Sequence, residues 1–250
     1  MRQVSMVIRV ATIVGVALAA AAPAHADWTG KGEAGLVISS GNTETTTLNA
    51  KLNFARESGN WKNAFGLAGL YASDDTGRTA QRWEALTQSD YNFTPKDFWF
   101  GAARYEDDAF SGFVYQASVS SGVGRKFINT DRTKVTGTIG LGYKFIETED
   151  SFDPVTGALL EAGDSSSEAV GRGTLDLEDK ITDTTSVIDK FVIEAGSDNT
   201  FIQNDLSLQV KINHSLALAV GYSVRHNTDP PLGFERTDTL TTVNLVYEIK

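Results

Sequence analysis

The sequence predicts an all-β fold, a transmembrane up-and-down antiparallel β-barrel of about twelve strands, and three observations carry that prediction. Apolar and polar residues alternate with a period of two along nearly the whole chain, while helical periodicity is almost absent. Connections alternate between short and longer ones. Aromatic residues bracket apolar faces about ten residues apart, a spacing that spans roughly 25 Å on a tilted strand.

The alternation is clearest late in the chain. Leu206, Leu208, Val210 and Ile212 alternate with Asp205, Ser207, Gln209, Lys211 and Asn213, and Leu216, Leu218, Val220, Tyr222 and Val224 do so with Ala217, Ala219, Gly221, Ser223 and Arg225. Turn residues then divide the chain into strands over 30–40, 45–57, 61–73, 79–93, 97–106, 113–128, 132–147, 169–181, 185–196, 200–213, 215–227 and 237–249. The short set of connections includes Ser58-Gly59-Asn60, Thr94-Pro95-Lys96, Asn129-Thr130-Asp131, Thr182-Asp183-Thr184 and Asn213-His214-Ser215. The longer set comprises Asp74 to Arg78, Asp107 to Gly112, Thr148 to Glu168 and Asn227 to Arg236; Gly41-Asn42-Thr43 and the connection near Ser197 are short exceptions. The stretch from Thr148 to Glu168, with Pro154, two glycines and Ser165-Ser166-Ser167, reads as a mobile loop.

Alternation alone does not say which face lines the inside, since a soluble barrel enclosing an apolar ligand carries the same pattern. Trp61 with Tyr71, and Trp83 with Phe93, mark the two edges of an apolar band. The strands are also long, and their polar faces carry charge along their length. Both features favour apolar residues outside and a polar lumen.

The first residues read as a secretory signal peptide, residues 1–26, preceding a barrel domain over 27–250. Arg2 and Arg9 precede the apolar run Val10 to Ala22, and Pro23-Ala24-His25-Ala26 offers a cleavage site before Asp27. Its removal leaves 20 of the 22 basic residues against 32 acidic ones, a net charge of −12. That balance argues against nucleic acid as a partner, and the absence of cysteine excludes disulfides and thiolate chemistry.

On the polar faces the strand assignments place nine basic residues, Lys51, Lys62, Arg82, Lys126, Lys144, Lys180, Lys190, Lys211 and Arg225. Nine acidic ones match them: Glu33, Glu84, Asp90, Asp176, Glu178, Glu194, Asp205, Asp238 and Glu248. The candidate pore-lining set is drawn from these, leaving out Lys62, Lys126, Lys180, Asp90, Glu194 and Glu248. A near-neutral lumen suits weak selectivity, because a strongly selective pore lines its constriction with one sign of charge. Opposite charges on adjacent strands can also pair across the lumen and narrow it.

Catalytic chemistry finds little support. A serine hydrolase needs a histidine beside a serine and an orienting acid; only His214, in a predicted turn, and His226, at a strand end, remain after cleavage. Two separated histidines and no cysteine make a poor metal set. Gly122-Val123-Gly124 and Gly171-Arg172-Gly173 lack the strand-to-helix context of a phosphate cradle and read as room on a curved sheet. The acidic segments Asp74-Asp75, Asp107-Asp108 and Glu147 to Asp153 lack calcium-loop spacing and read as solvated surface. No catalytic residue, metal or cofactor is expected.

Several short motifs, in order, resemble the YdiY-like family of salt-induced outer-membrane proteins, a domain family of unknown function. They are Ser39-Ser40-Gly41-Asn42-Thr43 before a Thr-rich strand; Arg104-Tyr105-Glu106-Asp107-Asp108 and Phe110-Ser111-Gly112-Phe113; Gly122-Val123-Gly124-Arg125; and Thr237-Asp238-Thr239. The resemblance implies a Gram-negative cell outer membrane location, with outer-membrane lipid, lipopolysaccharide and the barrel assembly machinery as partners. It implies no ligand or activity. The expectation is a small weakly selective pore or an envelope structural component; the alternatives are a barrel enzyme acting on lipid and a soluble periplasmic β-protein binding an apolar ligand.

Overall fold

The computed structural model describes residues 28–39, 45–153, 156–231 and 234–249. The expected signal peptide and the Gly41-Asn42-Thr43 turn lie outside the described residues. The chain forms β1 (Trp28–Ser39), β2 (Thr45–Ser58), β3 (Trp61–Asp74), β4 (Gly77–Asn92), β5 (Asp97–Asp108), β6 (Phe113–Asn129) and β7 (Thr133–Thr148). It continues through β8 (Ser151–Phe152), β9 (Leu159–Glu161), β10 (Ser165–Lys180), β11 (Thr185–Ala195), β12 (Thr200–Lys211), β13 (Leu216–Asn227) and β14 (Thr237–Ile249). Twelve of these close into an antiparallel barrel in the order β1-β14-β13-β12-β11-β10-β7-β6-β5-β4-β3-β2, and β8 with β9 forms a separate small hairpin. The fold is therefore the predicted all-β barrel with the predicted strand number.

Every β7–β10 pair from Ser165↔Glu147 to Asp179↔Thr133 keeps one register, so the two strands share one set of faces. Ser165, Ser166 and Ser167, expected in a mobile loop, extend β10 by four residues together with Glu168, because each has a partner on β7. The remainder of that connection holds the β8–β9 hairpin, turned at Gly157 with φ +69°. A second expected long connection is also shorter than its composition suggests. Asp74 pairs with Gly77, and Asp74 Oδ1 accepts hydrogen bonds from Thr76 N at 2.8 Å and Thr76 Oγ1 at 2.6 Å. This short turn ends at Gly77, whose φ of +139° suits glycine. Long connections are thus confined to residues 149–164 and 228–236, both at the same end, here termed the loop end; Trp28, which opens β1, and Ile249, which ends β14, lie at the opposite, turn end.

Large apolar side chains occupy the outward face and remain open to the surroundings: Leu141 is 78% exposed, and Ile139, Leu206, Leu208, Leu218, Val220 and Leu245 are all exposed. A continuous apolar belt of this kind suits hydrocarbon rather than water. Aromatic pairs edge it, Trp61 with Tyr91 at 5.1 Å toward the turn end and Trp83 with Tyr105 at 5.0 Å toward the loop end. The cylinder closes where β1 meets β14, and there, among the described residues, the register runs from Gly30↔Ile249 to Ala34↔Leu245, against twelve pairs between β1 and β2.

Candidate functional site

Register assigns each inward residue. Glu33 faces Lys51, Asp176 faces Lys190, Lys190 faces Asp205, Arg225 faces Asp238, and Glu84 faces Glu106. By the same parity Arg82, Lys144, Glu178 and Lys211 point inward, so all twelve candidate residues share the lumen face. They do not form one constriction. Asp176, Lys190 and Lys211 are exposed inside the turn-end half, and Asp238 is exposed near the loop-end rim. Lys144 and Arg225 are buried in the loop-end half.

That half is filled by a network which the sequence reading located only in part. Arg225 Nη2 on β13 donates to Glu106 Oε1 at 2.7 Å and Oε2 at 2.5 Å on β5. In the ring of twelve, β13 and β5 stand six places apart, so this contact joins opposite walls. Arg104 Nη2 also meets Glu106 Oε2 at 2.5 Å, and Arg104 Nε meets Glu84 at 3.2 Å. Asp108 lies 3.8 Å from Arg82 and 3.9 Å from Arg225. Phe201, 1% exposed, sits among three cations: its ring centre is 4.8 Å from the Arg104 guanidinium, 5.2 Å from that of Arg225 and 5.6 Å from Lys144 Nζ. Such contacts hold cations against an aromatic face more strongly when water is excluded.

A second group adjoins it. Glu194 accepts from Ser118 Oγ at 3.0 Å and pairs with Arg172 at 3.7 Å, while Arg172 lies 5.7 Å from the Phe100 ring. Glu106, Glu194 and Lys144 are each only 1% exposed, the burial of a packed core. Among the described residues, Lys144 Nζ, Arg172 Nη1, Glu194 Oε2 and Glu168 Oε1 have no hydrogen-bond partner within the protein. Buried groups of this kind commonly bind ordered water.

Wall-to-wall contact constrains the cross-section. Twelve strands spaced about 4.8 Å apart and tilted about 40° enclose a circle roughly 24 Å across. Arginine and glutamate together reach about 12 Å from their Cα atoms, so the section at Arg225 and Glu106 is an oval. Inward glycines make further room. A Cβ on Gly124 would lie 2.1 Å from the Phe98 ring, and one on Gly140 2.9 Å from that of Phe100. Gly124, read from sequence as room on a curved sheet, and Gly140 are seats for two buried phenylalanines.

At the loop end the connections fold over the mouth. Gly112, with φ +75°, would bring a Cβ within 2.6 Å of the Phe234 ring, which comes from the β13–β14 connection. Glu149 N donates to Gly112 O at 2.9 Å from a third connection. Asn199 Oδ1 accepts from Asp229 N at 3.1 Å, tying the β11–β12 turn to the β13–β14 connection. The turn-end half is rich in lysine. Lys31 Nζ donates to Gln209 at 2.7 Å and Lys126 Nζ donates to Asn92 at 2.8 Å.

Lys31, Arg104, Lys134 and Arg172, with Glu57, Glu106, Asp108 and Glu168, are inward charges missing from the sequence-derived set. The missed charges match in number, four basic and four acidic, so near-neutrality persists. A signal existed: Arg104, Glu106 and Asp108 alternate with Tyr105 and Asp107, continuing the inward parity of β5. His226 Nδ1 lies 2.8 Å from Thr237 Oγ1 on the outward face, whereas Asp238 points inward, so among the described residues these two do not join it in a serine-histidine-acid set.

Closed antiparallel wall, apolar belt and polar interior together define an outer-membrane-type β-barrel. The chain belongs to the family described as "Protein of unknown function, DUF481", whose model matches residues 32–249. The "Uncharacterized protein YdiY" of Escherichia coli (strain K12) is 26% identical over 231 residues, covering 91% of this chain and 86% of the relative. The resemblance read from the short motifs is thus shown. Among solved structures, the translocator domain of the autotransporter NalP from Neisseria meningitidis shares the fold at a TM-score of 0.52, with 12% identity and 97% of each chain covered. An outer membrane channel from Pseudomonas putida F1 shares it at 0.50, with 10% identity over 91% of this chain and 97% of that one.

Proposed function

We propose that this protein resides in the outer membrane, with its loop end outside the cell, and acts as a narrow, weakly selective pore whose outer half is held shut by lumen side chains. The observation that carries the reading is the Arg225–Glu106 contact, which joins opposite walls of the barrel. Below it, Asp176, Lys190 and Lys211 remain exposed inside the barrel, a polar vestibule entered from the periplasm. Equal numbers of cations and anions were added to the inward set, which supports weak selectivity. Lys211 and Asp205 lie on the same strand and do not meet, so the relevant pair for opening is Arg225 with Glu106.

Planar-bilayer recording tests this. The unaltered protein should give small, infrequent currents, and the double variant Glu106→Ala, Arg225→Ala should conduct several-fold more with little preference for either ion sign. Large, strongly anion-selective currents in the unaltered protein would overturn the reading. Silence in both forms would favour an envelope structural role, which the core-like burial of Phe201 and Glu194 also supports.

A further inference from the structure

The outward face carries one anomaly. Asp189 points toward the surroundings between Val187 and Phe191, opposite Leu206 and Leu177. It is the fifth residue of β11, roughly 10 Å above the turn end of an apolar band about 25 Å tall. Other outward ionisable groups, such as Arg56, Asp97, Arg125, Asp107, Asp179 and His226, lie at the strand ends or pair there, as Arg125 does with Asp97 at 3.4 Å. Among the described residues, Asp189 alone brings a carboxyl or basic group into the middle of the belt. Its neighbour on that face, Asn204, donates from Nδ2 to Asp189 Oδ1 at 2.8 Å. A carboxylate in hydrocarbon is costly, and intramembrane ionisable residues typically face protein rather than lipid.

A second observation lies on the same face nearer the loop end, six residues along β10 from Leu177, the partner of Asp189. Gly171 faces outward on β10, paired with Ala195, with Ala169 and Gly173 two residues to either side. A Cβ on Gly171 would come no nearer than 3.9 Å to any neighbouring atom, so packing inside the barrel does not require glycine there. Small residues on a membrane-facing wall allow another backbone to approach closely.

We infer that the β10–β12 face is an interface between two copies of this chain, with Asp189 and Asn204 at its centre. Lipid tails offer no hydrogen-bond donor, whereas a second copy related by a twofold axis does. Asp189 keeps an acceptor oxygen, Oδ2, and Asn204 a second N–H, on the same face. A twofold axis between them sets the carboxylate of each copy against the amide of the other, the self-complementary pattern of an isologous contact. Nearer the loop end, the small residues Ala169, Gly171 and Gly173 of β10 let the two walls approach along the same face.

Because the chain has no cysteine, single thiols test this cleanly. Leu206→Cys sits in the interface; Leu67→Cys lies outward on β3, on the far side of the ring. In native membranes a short bifunctional thiol reagent should link Leu206→Cys into a species of twice the chain mass, and Leu67→Cys only weakly. Adding Asp189→Leu should cut the Leu206→Cys yield several-fold while heat-modifiable gel mobility still reports a folded barrel; Asn204→Leu serves if that variant does not fold. Equal yields at the two positions, a yield indifferent to both substitutions, or a product containing another protein overturns the inference. The inference rests on the membrane reading, and fractionation separates the two failures: extraction without detergent defeats that reading, whereas a membrane-borne monomer defeats the dimer alone.

Discussion

Glu106 is the residue on which the lumen network turns, since it receives Arg225 from the opposite wall and Arg104 from its own strand. Burying a lone charge is far more costly than burying a matched pair. Glu106→Ala leaves Arg104 and Arg225 facing each other without the shared carboxylate, and should destabilise the barrel by about 3–5 kcal/mol. Adding Arg225→Ala should then recover part of that loss, so the double variant unfolds at a higher denaturant concentration than Glu106→Ala alone. Additive losses in a denaturant titration would mean that the pair is not coupled. Parity along a strand revealed which charges point inward. It could not reveal this pairing, because Arg225 and Glu106 are 119 residues apart and meet only once the ring has closed.

Strands were the most legible level, because a half-buried wall enforces a two-residue period and a slip by one residue would turn every apolar side chain inward. Leu208 on β12 is exposed on the belt, whereas Ser207 faces the lumen. Leu208→Arg should therefore lower stability by about 2–4 kcal/mol near mid-membrane, and Ser207→Arg by much less, measured by folding titration into vesicles. Equal losses would contradict the assigned faces. Gln209 is a poorer comparison, being buried and bonded to Lys31. Two elements escaped the pattern. The start of β10 was hidden because Ser165-Ser166-Ser167 has the composition of a loop and becomes strand only through pairing with β7. The inward Phe98 and Phe100 break the rule of apolar outside and polar inside, and their only trace in the sequence was the inward glycines of the two strands that accommodate them.

At the scale of the whole molecule, the two long connections share one end, and the start of β1 and the end of β14 share the other, so orientation in the membrane is a single binary question. A protease-sensitive epitope inserted at Gly157, which turns the β8–β9 hairpin in open space, should be cut on intact cells. The same epitope in the Asn129 turn should be protected until the outer membrane is breached; the reverse result would invert the topology.

The seam between β1 and β14 gives the cylinder unequal compliance. Among the described residues its register covers Gly30 to Ala34, whereas the Arg225–Glu106 contact and the cations around Phe201 clasp β5, β7, β12 and β13 across the interior. One diameter is thus braced while one generatrix of the wall is loose, and neither strand at the loose line contributes to that brace. Heat or lateral tension would therefore part the wall between the first and last strands, starting where their ladder is missing toward the loop end. The remaining strands would stay clasped as a curved sheet with the lumen still blocked.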